Sequence, residues 1–294
     1  MSGHVTQASL VRHPCFSASA HGRYGRIHLP VAPECNLGCN YCQRQVGGMT
    51  YHSYRPAVAD RILTPQQALC RVAKYAVDAS FTVVGIAGPG EPLYNPATFE
   101  TLRLVGGSFP EMMLCLSTNG LLLPRHAQRL HALGVRTITV TLNTVDTSVG
   151  EKIYAYARHN GRTLTGRAAA KLLLENQLAG IREAARLGLV VKVNSILIPG
   201  INDEHLEEVA RTVKALGVYV QNITPLIPLG RFKHRPAPSC DELRRARSQC
   251  ERAIRQFRLC EQCRADSVGP LGRVPRPFRP RLNRAGEGQA YNPQ

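Results

Sequence analysis

The sequence predicts an α/β fold: one parallel sheet curled into a partial or complete β/α (TIM-like) barrel. Two observations predict it. Strand-like and helix-like segments alternate through the middle of the chain, and polar or glycine-rich motifs recur where successive strands end, as they do around the mouth of such a barrel.

The first strand spans Arg26 to Ala32. Thr64 followed by Pro65 marks a helix start, and Leu69, Val72, Ala73 and Ala76 recur at helical spacing in the segment that runs to Ala79. Phe81 to Ala87 is a short β-branched strand. The alternation continues through a helix Ala97 to Val105, a strand Met112 to Leu116, a helix Arg125 to Leu133 and a strand Val135 to Leu142. The alanine- and leucine-rich stretch Ala168 to Leu187 predicts a long helix. It is followed by the strand Val190 to Leu197, a helix Glu204 to Leu216, the strand Tyr219 to Leu226 and a last helix Cys240 to Phe257. Six β/α units result, with chemistry expected at the C-terminal strand ends.

A chain of 294 residues, 44% of them hydrophobic, can bury one large core, and one catalytic domain with appendages is the simplest count. No apolar run approaches a membrane span, and Met1 to Val11 lacks the basic-then-apolar order of a secretory signal. The expected location is therefore cytoplasmic, with no membrane partner. In a reducing compartment the ten cysteines read as ligands or buried thiols rather than disulfides. The formal charge of +17 concentrates toward the C-terminus, with Arg244, Arg245, Arg247, Arg252, Arg255 and Arg258 in the last helix and Arg273, Arg276, Arg279, Arg281 and Arg284 in a proline-rich tail. Such a surface suits nucleic acid, but no recognisable nucleic-acid module accompanies it, which argues against that partner.

Cys35, Cys39 and Cys42 form a CxxxCxxC triplet directly after the first strand. A cubic 4Fe-4S cluster has four irons, so three close-spaced cysteines hold three corners and leave the fourth iron open. An open iron is what S-adenosylmethionine (SAM) requires in a radical enzyme, because it chelates the amino and carboxylate groups and passes an electron to the sulfonium. The competing assignment, a structural zinc loop, closes with four ligands and usually shows paired CxxC or CxxC with HxxxH. Gly88-Pro89-Gly90-Glu91-Pro92 follows the second strand, a turn whose backbone can approach a ligand, with Gly90 and Glu91 placed for SAM's methionyl ammonium. Standing alone, it reads as an ordinary strand-to-helix turn. Ser117, Thr118, Asn119 and Gly120 after the third strand, Asn143 and Thr144 after the fourth, and Asn194 and Ser195 in the fifth add polar groups. Any one of these is a plausible cap, whereas a succession of polar strand ends suits one cavity.

The runs His13-Pro14-Cys15-Phe16, Arg26-Ile27-His28-Leu29-Pro30-Val31-Ala32-Pro33, Ala87-Gly88-Pro89-Gly90-Glu91-Pro92-Leu93, Leu116-Ser117-Thr118-Asn119-Gly120, Lys192-Val193-Asn194-Ser195, Ile198-Pro199-Gly200-Ile201-Asn202-Asp203 and Cys260-Glu261-Gln262-Cys263-Arg264-Ala265-Asp266-Ser267-Val268-Gly269 resemble, in this order, the NifB family of radical SAM proteins of nitrogenase cofactor biosynthesis. The resemblance runs from about His13 to Gly272. It implies a radical SAM barrel with N- and C-terminal cluster-binding extensions: an arm over 1–25, a core over 26–259, a CxxC segment over 260–272 and a basic tail over 273–294. It implies further that Cys35, Cys39 and Cys42 are catalytic and bind the SAM cluster. Gly88, Gly90, Glu91, Thr118, Asn119, Asn143, Thr144, Asn194 and Ile196 would orient SAM, and His13, Cys15, Cys115, Cys260 and Cys263 would hold two further 4Fe-4S clusters as substrates. In the family those two are fused, with a carbide from a SAM methyl group, into the eight-iron core of the nitrogenase cofactor. One SAM donates the methyl to a cluster sulfide, and a second yields the 5'-deoxyadenosyl radical that abstracts hydrogen from it. The implied partners are iron-sulfur cluster donor and cofactor carrier proteins and an external electron donor.

Without the resemblance, Cys260 and Cys263 read as a zinc half-site or redox pair and Cys115 as core packing. Cys70, placed on the apolar face of a helix, and Cys240 and Cys250 read as structural. The family carries another cysteine six residues after the triplet; here that position is Gly48, and the neighbouring glutamate is absent as well. Arg55-Pro56 remain, and His52 is a candidate replacement ligand against the plainer reading of an exposed loop histidine. The family's optional C-terminal small cofactor-carrying domain has no counterpart after Gly272. Two alternatives stay open: a divergent relative that cleaves SAM but treats its clusters differently, and an iron-sulfur scaffold without turnover.

Overall fold

The computed structural model describes residues 10–48 and 54–270; His52 and the tail 273–294 lie outside them. The chain runs through β1 (Gly25–His28), β2 (Leu37–Cys39), β3 (Gln45–Val46), β4 (Val58–Ala59), α1 (Pro65–Ala76), β5 (Phe81–Ile86), α2 (Pro96–Ser108), β6 (Met113–Thr118), α3 (Leu123–Ala132), β7 (Val135–Thr141) and α4 (Thr147–Ile153). It continues through β8 (Tyr154–His159), β9 (Arg162–Thr165), α5 (Gly166–Arg186), β10 (Val190–Leu197), α6 (Leu206–Ala215), β11 (Val220–Pro225), α7 (Cys240–Glu251) and β12 (Val268–Pro270). The predicted helix starts are real. Thr64 accepts from the Gln67 N–H while the Gln67 side chain takes the Thr64 N–H, and Ser239 with Glu242 repeats this capping box on α7.

The seven-stranded sheet has the order β11-β10-β7-β6-β5-β1-β12, parallel except that β12 runs against β1. Its ends do not pair, so the barrel is partial. Residues alternate between its faces. Ile27, Val84, Ile86, Leu114, Leu116, Ile138, Val140, Val191, Val193 and Ile223 join the helices in the main core. Their neighbours Arg26, His28, Cys115, Ser117, Lys192 and Asn194 fall on the opposite, inner face, which is polar.

Both chain extensions close this inner face. In the N-terminal arm, the Arg12 carbonyl accepts from the Thr82 hydroxyl at 2.7 Å and the Cys15 carbonyl from Lys192 Nζ at 3.0 Å, while Phe16 packs with Val220 and Phe257. At the other end, α7 stops at Glu251 rather than running to Phe257, which leaves Arg252, Arg255 and Arg258 outside the helix. The reason is tertiary: the Gln221 N–H donates to the Arg255 carbonyl at 3.0 Å and the Phe257 N–H to the Gln221 carbonyl at 2.7 Å, so this stretch pairs along β11. From there the chain crosses to the far edge, where β12 pairs with β1. The strap between these anchors carries Cys260 and Cys263.

The elements not anticipated are α4, the β8–β9 hairpin and the short strands β2, β3, β4 and β12. The hairpin turns at Asn160-Gly161, both left-handed (φ +48° and +75°), and an Asn-Gly turn between strand-like runs is the signal that would have found it. Cys250 is buried, as a structural thiol should be, but Cys70 is exposed, so its assignment to an apolar face is corrected: Ala68 and Val72 occupy the buried side of α1.

Candidate functional site

The CxxxCxxC loop is gripped from three sides. First, β2 within it pairs antiparallel with β8, Leu37 opposite Ala157 and Cys39 opposite Tyr154, and the Arg158 N–H donates to the Asn36 carbonyl at 2.7 Å. Gly38 lies against the Tyr156 ring, so close that an added Cβ would come within 2.4 Å of it. Second, the Gly88–Pro92 turn lies on the loop's start: the Gly90 N–H donates to the Ala32 carbonyl at 2.6 Å and the Glu91 N–H to the Glu34 carbonyl at 2.7 Å. A Cβ on Gly90 would stand 2.1 Å from the Glu34 oxygen, so only glycine fits. Third, Gly230 (φ +57°) presses on the loop's end, its missing Cβ 2.8 Å from both the Asn40 and Cys42 carbonyls, and the Phe232 N–H donates to Asn40 at 3.1 Å.

Burial pushes the Cys35 thiol up to about 11, with the Glu91 carboxylate adding to it. Cys39 is raised well above its ordinary value by burial and by the neighbouring Cys42 and Cys35, and burial raises Cys42 as well. Three thiols that feel one another thus converge on one loop, neutral until something binds them. Among the described residues no three His, Cys, Asp or Glu side chains gather about one point as a single ion demands. A cubane instead spreads its cysteines over three separate irons, and the triplet fits that group.

The strand-end residues form a network around the loop. Glu91 is buried; its Oε1 accepts from the Thr118 hydroxyl at 2.6 Å and the Leu93 N–H at 3.0 Å, and its Oε2 from the Asn119 N–H at 2.7 Å. Burial lifts its carboxyl to about 7 against these three donors. Asn119 Nδ2 donates to Asn36 Oδ1 at 2.8 Å, leaving the buried Asn36 Nδ2 without a partner. Asn143 Nδ2 donates to the Tyr41 and Tyr154 hydroxyls, both at 3.1 Å, and its Oδ1 accepts the Ile196 N–H at 2.8 Å. Asn194 Oδ1 accepts from Asn222 Nδ2 at 3.0 Å, and Thr144 bonds within the turn that starts α4. Gly88 sits beneath Gly90 with φ +120°. Gly90, Glu91, Asn119 and Asn143 of the residues expected to meet SAM therefore also brace the loop. Sequence reasoning missed Gln177, whose amide donates to the Asn119 and Thr141 carbonyls at 2.8 Å each, and Asn202, which donates to the Asn143 and Ile196 carbonyls. Gln177 stands in no pattern that marks it, whereas Asn202 lies in the Ile198-Pro199-Gly200-Ile201-Asn202-Asp203 run, from which no site role was drawn.

A second group of thiols lies on the inner face. Cys15, Cys115 and Cys260 pack around Leu10, Phe16, Val220 and Phe257, and Cys263 Sγ accepts from Arg26 Nη2 at 3.0 Å. Burial pushes Cys15 up to about 11 and Cys263 to about 12, and it raises Cys115. The two histidines nearby differ. His13 Nδ1 accepts the Cys15 N–H at 3.1 Å, so its neutral ring carries the proton on Nε2, which is buried and unpartnered. His28 Nδ1 faces the Arg264 carbonyl at 3.0 Å and must donate to it, which leaves a lone pair on Nε2. His28 shares a register row with Cys115, with only Gly85 between them.

Comparison with known proteins identifies the family. Residues 29–213 match the Radical SAM superfamily. A protein of Methanocaldococcus jannaschii named FeMo cofactor biosynthesis protein NifB is 43% identical over 90% of this chain and 87% of its own. The protein of that name from Klebsiella pneumoniae is 44% identical over 88% of this chain, which spans 57% of the Klebsiella protein. A radical SAM methyltransferase from Sphaerobacter thermophilus shares the fold, with a TM-score of 0.54 and 21% identity over 80% of this chain and 64% of that one. The chain belongs to the radical SAM superfamily and, within it, to the NifB family.

Proposed function

We propose that this chain is a cytoplasmic enzyme of nitrogenase cofactor biosynthesis that fuses two 4Fe-4S clusters with insertion of a SAM-derived carbide. The observation that carries the reading is the presence of two separate thiol groups, the gripped Cys35/Cys39/Cys42 loop and the Cys15/Cys115/Cys260/Cys263 group on the inner face. The first group alone suffices to hold the cluster that cleaves SAM, so the second calls for a further use. Cys35, Cys39 and Cys42 would hold a 4Fe-4S cluster, which when reduced would supply one electron to the sulfonium of SAM.

The chain's own residues hold and position. Gly38, Gly90 and Gly230 let the Tyr156 ring and neighbouring backbone close on the loop. Glu91 locks the Gly90 turn to the end of β6 and keeps one of its four acceptor positions for a cationic group such as SAM's ammonium. Asn143 fixes the Tyr41 side of the loop to β7 and β10. On the inner face, His28 rather than His13 presents an imidazole lone pair, held by the Arg264 carbonyl in the manner of an iron-ligating histidine. We therefore assign the substrate-cluster ligands as His28 with Cys15, Cys115, Cys260 and Cys263. His13 instead fixes the turn that carries Cys15. Cluster donors, a product carrier and a one-electron donor are the partners this chemistry requires. No helix among the described residues is long and apolar enough to cross a membrane.

Iron and sulfide quantification with electron paramagnetic resonance on anaerobically reconstituted protein tests the reading. Three clusters are expected; one cluster refutes the fusion reading. Cys35→Ala should abolish formation of 5'-deoxyadenosine from SAM while leaving the other clusters. Cys260→Ala with Cys263→Ala should remove a cluster signal and leave the SAM-responsive one. Protein that loads three clusters but forms no 5'-deoxyadenosine would be a scaffold.

A further inference from the structure

Two cations are buried in the inner face without counter-charges. Lys192, on β10, is 4% exposed, and Arg26, on β1, is 2% exposed. Lys192 uses one of its three protons on the Cys15 carbonyl, and its ammonium otherwise stands 4.8 Å from the Phe16 ring centre and 5.5 Å from that of Phe257. Arg26 donates to the Gly269 carbonyl and to Cys263 Sγ, and its Nε is buried with no partner. Neither forms an ion pair with a carboxylate among the described residues, although Arg264 close by takes Asp266 at 2.7 Å.

An uncompensated buried charge is strongly destabilising, so the matching negative charge must come from elsewhere. The two fields divide the group between them: Lys192 acts on His13, Cys15 and Cys115, and Arg26 on Cys15, Cys263 and His28. An iron-sulfur cluster bound through thiolates is a net anion and would supply that charge. We infer that Lys192 and Arg26 form an anion-binding floor that retains the substrate clusters electrostatically and raises their reduction potential.

This inference rests on the proposal that clusters bind the inner-face thiols, and the experiment separates the two. Wild-type chain and Lys192→Met, which keeps the aliphatic stem and removes the charge, are reconstituted anaerobically. Iron retention against a chelator is measured, together with an electron paramagnetic resonance redox titration. Lys192→Met should release the iron beyond that of the SAM-responsive cluster about tenfold more readily, equivalent to 1.4 kcal/mol. The midpoint of the remaining non-SAM signal should fall, since the reduced state carries one more negative charge. The SAM-responsive signal should not move, and Lys192→Arg should restore both readouts. If Lys192→Met does not fold, Arg26→Gln should show the same fall. A variant that matches wild type in retention and midpoint overturns the floor alone. A wild-type chain that binds only the SAM-responsive cluster overturns the floor and the inner-face reading together.

Discussion

Glu91→Gln separates two uses of one carboxylate, bracing the loop and receiving SAM. The amide can keep the oxygen that accepts from Thr118 and Leu93, but it sets an NH2 where Oε2 meets the Asn119 N–H at 2.7 Å. The variant loses a hydrogen bond to a charged group, about 1.5–3 kcal/mol, and leaves a buried N–H unpaired, about 1–3 kcal/mol. Removing a buried charge offsets part of this, since burial already lifts the carboxyl to about 7. A net loss of about 2–3 kcal/mol should lower the melting temperature by about 5–10 °C at the 2–4 °C per kcal/mol typical of domains of roughly this size. Circular dichroism melting of the cluster-free protein reads it directly, because neither SAM nor iron is present. Combining it with Thr118→Val should give less than the sum of the two losses, because both break one network. If Glu91→Gln melts like wild type while SAM affinity collapses in calorimetry, the carboxylate serves SAM alone and the bracing role is wrong.

Gly230→Ala should cost about 1–2 kcal/mol for the left-handed backbone and about 1–3 kcal/mol for pushing into the Asn40 and Cys42 carbonyls. It should lower iron uptake at the SAM cluster, whereas Gly134→Ala, also left-handed but facing open space, should lower stability without touching iron. At Gly48 nothing lies within 4 Å of a new Cβ, yet φ is +59°. Gly48→Cys should therefore destabilise the apo protein by about 1–2 kcal/mol while raising iron retention after reconstitution; unchanged retention would mean that residue 48 does not reach a cluster. Burial lowers His28 to about 4, so between pH 6.5 and 4 the unfolded chain binds a proton that the native chain refuses. Stability conferred by a neutral His28 is thus lost as pH falls through that window, by up to about 3 kcal/mol. The difference between wild type and His28→Asn in denaturant melts of the cluster-free protein isolates it from Glu91, whose raised carboxyl acts with the opposite sign. A difference that stays flat with pH would refute it.

The parts of this site that were legible in the sequence are local. The CxxxCxxC spacing, the Thr64-Pro65 helix start and the polar residues after each strand depend on neighbours a few positions away. What grips the loop did not show, because Gly38 is explained by Tyr156 and Gly230 by Asn40 and Cys42, contacts that exist only in the folded chain. The hydrogen bonding of the two histidines was hidden for the same reason: His13 stands beside Cys15 in sequence, but the partner of His28 Nδ1 is the Arg264 carbonyl, far along the chain. The end of α7 carries no glycine or proline to announce it, because pairing with Gln221 ends the helix. The β8–β9 hairpin is different, since its Asn-Gly turn was there to be read.

The strap from β11 to β1 also fixes when the enzyme becomes competent during its own synthesis. Cys35, Cys39 and Cys42 leave the ribosome early, but Gly230, which seals their loop, follows much later, and Cys260, Cys263 and β12 come later still. At about 5–20 residues per second the triplet waits roughly ten seconds or more for its seal. Throughout that interval the nascent chain presents exposed thiols without a formed pocket, so stray metal meets flexible ligands rather than a finished site. A chain stalled or clipped before Gly230 would therefore keep its first cysteines yet lack the residue that closes their loop.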